Sequence, residues 1–261
     1  MITLKHYIHR AFLDKIGLGI YVLVPVALIV VIHLINQALI EGTYHHIDGY
    51  DFIASEVVLF QMLLFQFLGG MFIIDYIFID LKSARRWRLL AAPVSFNRFI
   101  FSALAASMLF MLISGLAILA FGFFFMNIYL GNLPIIIGLM LLVGLMSQFI
   151  SIIASLLIKS KGAAEGTGMA VYWVFIIASG NFMGISLGIP DFINENINPF
   201  NLTLSAVRYT WPAFDVPRGG DLSNFVNVHD LTAAFANMGI LAAWVVVLGI
   251  AIIIIGRRRP I

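Results

Sequence analysis

Side chains that could perform acid–base, nucleophilic or metal chemistry are few in this chain, and they form no recognisable catalytic arrangement. The loop 44–51 holds two adjacent histidines and two carboxylates, residue types that bind zinc or copper. Adjacent histidines rarely converge on one ion, so we expect a solvated acidic loop and no metal site. An intramembrane serine enzyme would pair Ser186 with His229, but nothing in the sequence places them within the hydrogen-bond reach that such catalysis requires.

The chain also lacks the motif of a nucleotide-hydrolysing protein. No Gly-x-x-x-x-Gly-Lys-Ser/Thr phosphate loop occurs in it, so we predict that the chain is not an enzyme and holds no cofactor. If the protein performs active transport, the energy must come from a partner protein or from an ion gradient. Cysteine is absent, which excludes disulfide bonds and thiolate metal or redox chemistry.

The composition is that of an integral membrane protein. Hydrophobic residues make up 62% of the 261 positions and charged residues only 11%, and the mean hydropathy is +1.03. Soluble domains are far less apolar. The formal net charge is only +2, from 15 basic and 13 acidic residues, so the charge balance does not indicate nucleic acid as a partner. The partner that the composition indicates is membrane lipid.

The apolar residues fall into runs that are long enough to cross a bilayer, which takes roughly 20 helical residues. We predict six spans at about 17–40, 56–79, 99–126, 133–158, 167–189 and 233–256. Only a short connection at 127–132 separates the third span from the fourth, so these two are expected to form a helical hairpin. The prediction is therefore an all-α integral membrane protein with a single transmembrane domain over residues 1–261.

Basic residues indicate how the spans are oriented. Thirteen of the 15 lysines and arginines fall on the side that carries both termini, and only Arg208 and Arg218 fall on the other side. Cytoplasmic loops are enriched in lysine and arginine. We therefore predict that both termini are cytoplasmic.

Two segments are predicted to lie at the membrane surface without crossing it. Residues 1–16 should form an amphipathic interfacial helix, because Leu4, Ile8 and Phe12 recur every four residues. On the outer side, the segment 190–230 is too polar to be another full span.

The longest basic interruption of the apolar sequence is the stretch 80–98, between the second and third spans. Leu81, Trp87 and Leu90 can face lipid or protein while the basic residues stay in water, which is the pattern of a short surface helix. Pro93 is expected to end this helix, since proline disfavours helical geometry in the residue before it. A basic loop that only sets the topology would explain the arginines but not the helix followed by proline.

Within this stretch the run Arg88-Leu89-Leu90-Ala91-Ala92-Pro93-Val94-Ser95 resembles the cytoplasmic coupling-helix signature of type-2 ABC exporter permeases. The resemblance implies a six-span subunit that dimerises, with a homodimer expected. It also implies two copies of a separate cytoplasmic ATPase that binds ATP and Mg. The partner-coupling residues that it implies are Asp80, Arg85, Arg86, Arg88, Leu89, Leu90 and Pro93. The sequence departs from the family pattern at Ala84 and Arg85, where a Gly-Thr pair is common, and Asp80 stands about where the family often has Glu.

The same resemblance extends to the outer side and to the spans. Residues 197–208 resemble the family's outer re-entrant region, which reads as Asn-Pro, an apolar helical stretch and then Arg. In that family the first and fifth spans line the dimer interface and the path between subunits. The residues that would lie there are Gly180, Gly184, Gly188, Asn181, His33 and Asn36. Small residues at four-residue spacing serve packing within a subunit equally well.

Polar side chains inside the spans have a simpler interpretation. In the fourth span Ser147, Gln148, Ser151 and Ser155 form a mildly polar face, and hydrogen bonding between helices is favoured over a substrate site. His33 could relay protons only with an ionisable partner, and no acid lies within the apolar part of another span.

Together these features predict the permease subunit of an ATP-driven exporter in a bacterial cytoplasmic membrane. The outer parts are small and no span has a charged centre, which favours an amphiphilic or apolar cargo: a peptide, a drug or a lipid-like molecule. Peptide is favoured among these. The alternatives are a membrane anchor or sensor that recruits a cytoplasmic protein without transport, and an intramembrane enzyme. Cargo identity and the choice between homodimer and heterodimer stay open.

Overall fold

The structure is a computed structural model, and it is mostly helical. It describes residues 4–39, 46–47, 50–82, 96–180, 190–211 and 230–258. The helices are α1 (Leu4–Leu13), α2 (Lys15–Leu18), α3 (Val24–Leu39), α4 (Phe52–Leu68), α5 (Met71–Tyr76), α6 (Phe96–Met126), α7 (Leu133–Leu157), α8 (Lys161–Ala178), α9 (Asp191–Asn196), α10 (Pro199–Arg208) and α11 (Leu231–Arg258). Short π-helical segments at Gly19–Leu23 and Ile77–Leu81 continue α2 and α5. Two two-residue strands, β1 (His46–Ile47) and β2 (Tyr50–Asp51), pair antiparallel.

Among the described residues, five helical stretches are long and apolar enough to cross a membrane. They are Lys15–Ile35, Ala54–Leu81, Phe99–Met126, Leu133–Leu157 and Leu231–Gly256. They correspond to the predicted first, second, third, fourth and sixth spans. The multi-pass, all-helical character that the sequence predicts is therefore confirmed for these five stretches.

The predicted fifth span differs from the helix that forms there. Helix α8 begins at Lys161 rather than at residue 167, because the side chain of Ser160 accepts a hydrogen bond from the amide of Ala163 and caps the helix. It ends at Ala178, and Gly180 follows in a left-handed conformation with φ of +70°. The predicted stretch 167–189 is therefore displaced from the observed helix, and its residues 181–189 lie outside the described part of the chain.

The second span is the most enclosed of the five and forms the centre of the bundle. Met62, Leu63, Phe67 and Ile73 are fully buried along its length. Its two parts, α4 and α5, are separated by Gly69 and Gly70, which form a turn. Glycine suits this position because the neighbouring helix approaches closely: a Cβ on Gly70 would overlap the carbonyl oxygen of Ser147.

Hydrogen bonds from the fourth span reinforce the turn that interrupts the second span. The hydroxyl of Ser147 donates to the carbonyl oxygen of Gln66 at 3.2 Å, and the amide of Gln148 donates to that of Gly69 at 3.4 Å. Both carbonyl groups also accept backbone amides within the turn, from Gly69 to Gln66 and from Phe72 to Gly69, each at 3.2 Å. The fourth span therefore adds side-chain donors to the turn's own hydrogen bonds. The hydrogen bonding between helices that the polar face of the fourth span predicts is confirmed.

The connections sort to two opposite ends of the bundle. At one end the amide of Asp51 bonds to the carbonyl oxygen of Asn127 at 3.1 Å, and the amide of Asp230 bonds to that of Tyr209 at 3.0 Å. At the other end α1 lies beside the end of the second span and the start of the third, where the ring of Tyr7 meets those of Tyr76 and Phe99. This division matches the alternation of loops expected from the sequence.

Helix α10 lies along the first half of α11. Its C-terminal side meets the start of α11 through the bond between Tyr209 and Asp230, whereas the carbonyl oxygen of Ile197 accepts from the indole of Trp244 at 3.0 Å. Fourteen helical residues rise about 20 Å. The turn between α9 and α10 therefore reaches about 20 Å into the bundle from the level of Asp230.

Replacing Gly70 with alanine should test the close packing at the interrupted second span. The new Cβ would overlap backbone atoms of Ser147, so we expect Gly70→Ala to lower the free energy of unfolding by about 1–3 kcal/mol. Gly239→Ala is the matched control, because nothing lies within 4 Å of a Cβ there. It should be neutral or stabilising by up to about 1 kcal/mol. Unfolding in detergent micelles measures both, and equal stabilities would contradict this packing.

Candidate functional site

The candidate site lies where the second span ends and the predicted coupling stretch begins. The structure describes Asp80 and Lys82 at the start of that stretch. The other predicted coupling residues lie outside the described residues: Arg85, Arg86, Arg88, Leu89, Leu90 and Pro93. The described part of the candidate site therefore consists of Asp80, Lys82 and the residues that contact them.

Asp80 accepts two hydrogen bonds from the N-terminal helix. Its Oδ2 atom lies 3.0 Å from the hydroxyl of Tyr7 and 3.0 Å from Nη1 of Arg10. The Asp80 side chain is only 13% exposed, against 26% for that of Arg10, so the ion pair is largely shielded from water. A carboxylate in such surroundings needs charged or hydrogen-bonding partners, and α1 supplies both.

Packing orients α1 for these bonds. Tyr7 and Ala11, one turn apart, are buried, and the ring of Tyr7 meets those of Tyr76 and Phe99 edge-on at 5.3 and 5.7 Å. Burial, followed by the nearby carboxylate of Asp80, raises the pKa of Tyr7 above its ordinary value. The phenol therefore keeps its proton and acts as a donor.

This orientation corrects the predicted apolar face of the interfacial helix. Leu4 is exposed, and Ile8 and Phe12 are only partly buried. The most buried positions are Tyr7 and Ala11 instead, because the helix turns its phenol toward Asp80. Periodicity located the helix but misjudged its inward face by about one position.

Lys82 joins the same end of the second span to the end of the fourth. Its Nζ atom donates to the carbonyl oxygens of Ser155 at 2.5 Å and Ile158 at 2.7 Å, and it lies 4.3 Å from the ring centroid of Phe78. The last carbonyl groups of a helix lack intrahelical partners and carry partial negative charge. Lys82 therefore caps α7 with a positive charge.

A third contact joins the second span to α8. The Nζ atom of Lys161 lies 2.5 Å from Oδ1 of Asp75 and 3.4 Å from Oε1 of Glu165. The hydrogen bond to Asp75 raises the pKa of Lys161. These side chains are roughly 40% exposed, so water screens the pair and its contribution to stability is small.

The arrangement can transmit displacement. Asp80 is bonded to α1, Lys82 to α7 and Asp75 to α8, all within the last two turns before residue 83. A movement of the chain beyond Lys82 would therefore act on three helices at once.

The structure describes three of the six predicted dimer and pathway residues. Gly180 lies in the turn that follows α8, so it does not continue a helical face, and Asn181, Gly184 and Gly188 lie outside the described residues. Asn36 belongs to α3, but the position of its side chain is not described. His33 lies 3.9 Å, from Nδ1 to Oδ2, from Asp51, the residue that caps α4.

Several contacts at the two ends of the bundle were not predicted from the sequence. Tyr7 and Arg10 were not singled out as partners of Asp80, and the bidentate pair of Arg208 with Glu56 at the other end was also missed. The available signal was the presence of opposite charges on the same predicted side.

Comparison with known proteins adds no identification, since neither a protein family nor a curated protein matches the chain.

A double-mutant cycle should measure the attachment of α1. Arg10→Gln and Asp80→Asn, made singly and together, should show a coupling energy of about 1–3 kcal/mol, because each single change strands a largely buried partner. The control cycle uses Lys161→Gln and Asp75→Asn, an exposed pair whose coupling should stay at about 1 kcal/mol or less. Unfolding in mixed micelles gives both values. A coupling for Arg10 and Asp80 no larger than the control would refute the structural role of their pairing.

Proposed function

We propose that this chain is the membrane subunit of an ATP-driven exporter similar to type-2 ABC permeases. It works as a dimer, with a homodimer favoured, and each subunit engages one cytoplasmic ATPase that binds ATP and Mg. The observation that carries the proposal is the anchoring of Asp80 and Lys82 to two other helices at the start of the basic stretch. A partner that moves this stretch would move the bundle.

The transport cycle begins in the partner. ATP must bind the closed ATPase dimer preferentially, because a ligand shifts an equilibrium only through different affinities for the two states. Closure displaces residues 81–91, for which Arg88 and Leu89 are the proposed central contacts. Asp80 passes the displacement to α1 and Lys82 passes it to α7. The helices then shift as rigid bodies, since packed interiors transmit strain.

The opposite end of the subunit would form the exit. In this proposal α9 and α10 are a re-entrant pair that enters the membrane from outside. The depth of Ile197, level with Trp244, supports this role. Arg208 holds α10 to α4 through two bonds to Glu56, at 2.6 and 3.1 Å. A bidentate pair of this kind fixes orientation as well as position.

The proposed path runs between the first and fifth spans of the two subunits. The first span supports this assignment by its surface, because Ile16, Leu23 and Leu34 are each more than half exposed. A path bounded by apolar side chains and lipid suits an amphiphilic or apolar cargo such as a peptide, a drug or a lipid-like molecule. The proposed location is a bacterial cytoplasmic membrane with both termini inside.

ATP hydrolysis by the reconstituted complex tests the proposal. The chain is co-purified in lipid with any ABC ATPase that is encoded beside it, and the wild type is compared with Arg88→Glu and Leu89→Asp. Both substitutions should dissociate the complex or return ATP turnover to that of the ATPase alone. Lys159→Glu is the matched control, because Lys159 is exposed at the same end but lies outside the basic stretch. It should keep the wild-type turnover.

Two results would contradict the proposed export function. If no ATPase co-purifies, or if Arg88→Glu behaves like Lys159→Glu, the basic stretch is not a coupling element. If an ATPase binds but amphiphilic peptides and drugs never change its turnover or accumulate in vesicles, the chain acts as an anchor.

A further inference from the structure

A cleft of about 490 Å³ lies between α1 and the end of the second span, beside their contact at Asp80. Two helical faces line it: α1 contributes His6, His9 and Arg10, and the second span contributes Asp75 and Tyr76. With Phe72 and Ile79, which also line the cleft, the residues of the second span follow the three- and four-residue spacing of one side of a helix, as His6, His9 and Arg10 do. The volume lies within the range of about 300–1,000 Å³ that is usual for small-molecule sites.

The wall of the cleft contains a buried hydroxyl group that lacks a hydrogen-bond partner within the described part of the chain. Tyr76 is only 3% exposed, and its hydroxyl has no hydrogen-bond partner among the residues that the structure describes. Buried hydroxyl groups are normally paired, and leaving one unpaired is costly. The face of the same ring carries the guanidinium of Arg10 at 4.8 Å. A ligand with an acceptor oxygen would satisfy the phenol beside this positive charge.

The cleft presents both signs of charge. Arg10 uses Nη1 to bind Asp80, which leaves other guanidinium donors, and His6 and His9 are exposed imidazoles. Carboxylates come from Asp75 and from Asp14, which follows α1 and caps α2.

Both carboxylates keep free acceptor positions beside the hydrogen bonds that they already accept. Asp14 uses one oxygen, Oδ1, for the amides of Ile16 and Gly17, and Asp75 uses Oδ1 for Lys161. A carboxylate offers about four acceptor positions, so both retain capacity. The cleft thus combines donors for an anion with acceptors for a cation.

We propose that this cleft binds a phospholipid head group that carries both a phosphate and a primary ammonium group, as phosphoethanolamine does. The phosphate oxygens accept from Tyr76, Arg10 and the imidazoles, and the ammonium donates to the two carboxylates. The exposed side chain of Leu13, at the rim, lies where an acyl chain would leave the cleft.

Other head groups satisfy the cleft less well. A purely anionic head group would face the carboxylate of Asp14 without supplying a cation to it, whereas Asp75 already pairs with Lys161. A trimethylated ammonium has no N–H to donate to either carboxylate. The inference does not rest on the proposed export function.

Native mass spectrometry of the full chain tests the proposal. Delipidated protein is incubated with phosphatidylethanolamine, phosphatidylcholine or phosphatidylglycerol of identical acyl chains, and the retained lipid is counted. We expect preferential retention of phosphatidylethanolamine. Tyr76→Phe should weaken it by about three- to tenfold, the factor for one hydrogen bond. The combined His6→Ala and His9→Ala variant, altered at exposed positions, should weaken it further.

Tyr21→Phe is the matched control, because Tyr21 is also buried but donates to the carbonyl oxygen of Leu68, outside the cleft. It should retain lipid like the wild type. Equal retention of the three lipids, unchanged retention in Tyr76→Phe, or an equal loss in Tyr21→Phe would each overturn the proposal. A parallel arm adds free O-phosphoethanolamine or inorganic phosphate. Displacement of the lipid at comparable concentrations would assign the cleft to a soluble phosphate compound instead.

Discussion

The carboxylate of Asp80 determines how the end of the bundle that carries α1 is assembled. It lies largely out of water, so it requires compensation, and Tyr7 and Arg10 provide it from a helix about seventy residues earlier in the chain. Removing Tyr7 and Arg10 as partners while α1 stays in place would leave a largely buried charge uncompensated, which typically costs about 3–5 kcal/mol. Helix α1 is therefore part of the bundle and is held by a directional interaction as well as by its apolar face.

The second span carries this constraint inward. Its second part, from Met71 to Lys82, is bonded to α1, α7 and α8, whereas α4 is bonded to α10 through Glu56. Gly69 and Gly70 separate the two parts, and Ser147 and Gln148 supply hydrogen bonds at the interruption. A helix with an interruption and two sets of attachments can change the angle between its halves while each half keeps its own partners. This is the property that a transmitting element needs.

The sequence predicted the elements more successfully than the contacts between them. Runs of apolar residues located five spans, because hydropathy depends on composition alone. The helix at Lys161–Ala178 was displaced, since its first half contains Lys161, Glu165 and several glycines, and hydropathy does not detect the capping by Ser160. The pairs of Arg10 with Asp80 and of Arg208 with Glu56 join residues 70 and 152 positions apart. Charge counting places such partners at the same end but does not select the pair.

The distribution of polar contacts also explains which spans are most exposed. Lipid tails are as apolar as leucine, so helices in a bilayer associate through close packing and hydrogen bonds and without a hydrophobic driving force. The second, third and fourth spans have both, through small residues, buried serines and glutamines. The first and last spans, in contrast, present continuous apolar surface: Leu28 and Val31 in α3, and Val246, Ile250 and Ile253 in α11, are all exposed. On such a surface, contacts with lipid can be exchanged for contacts with another apolar helix at little cost in free energy. The surface therefore permits rearrangement, while the polar ends of the bundle preserve its internal register.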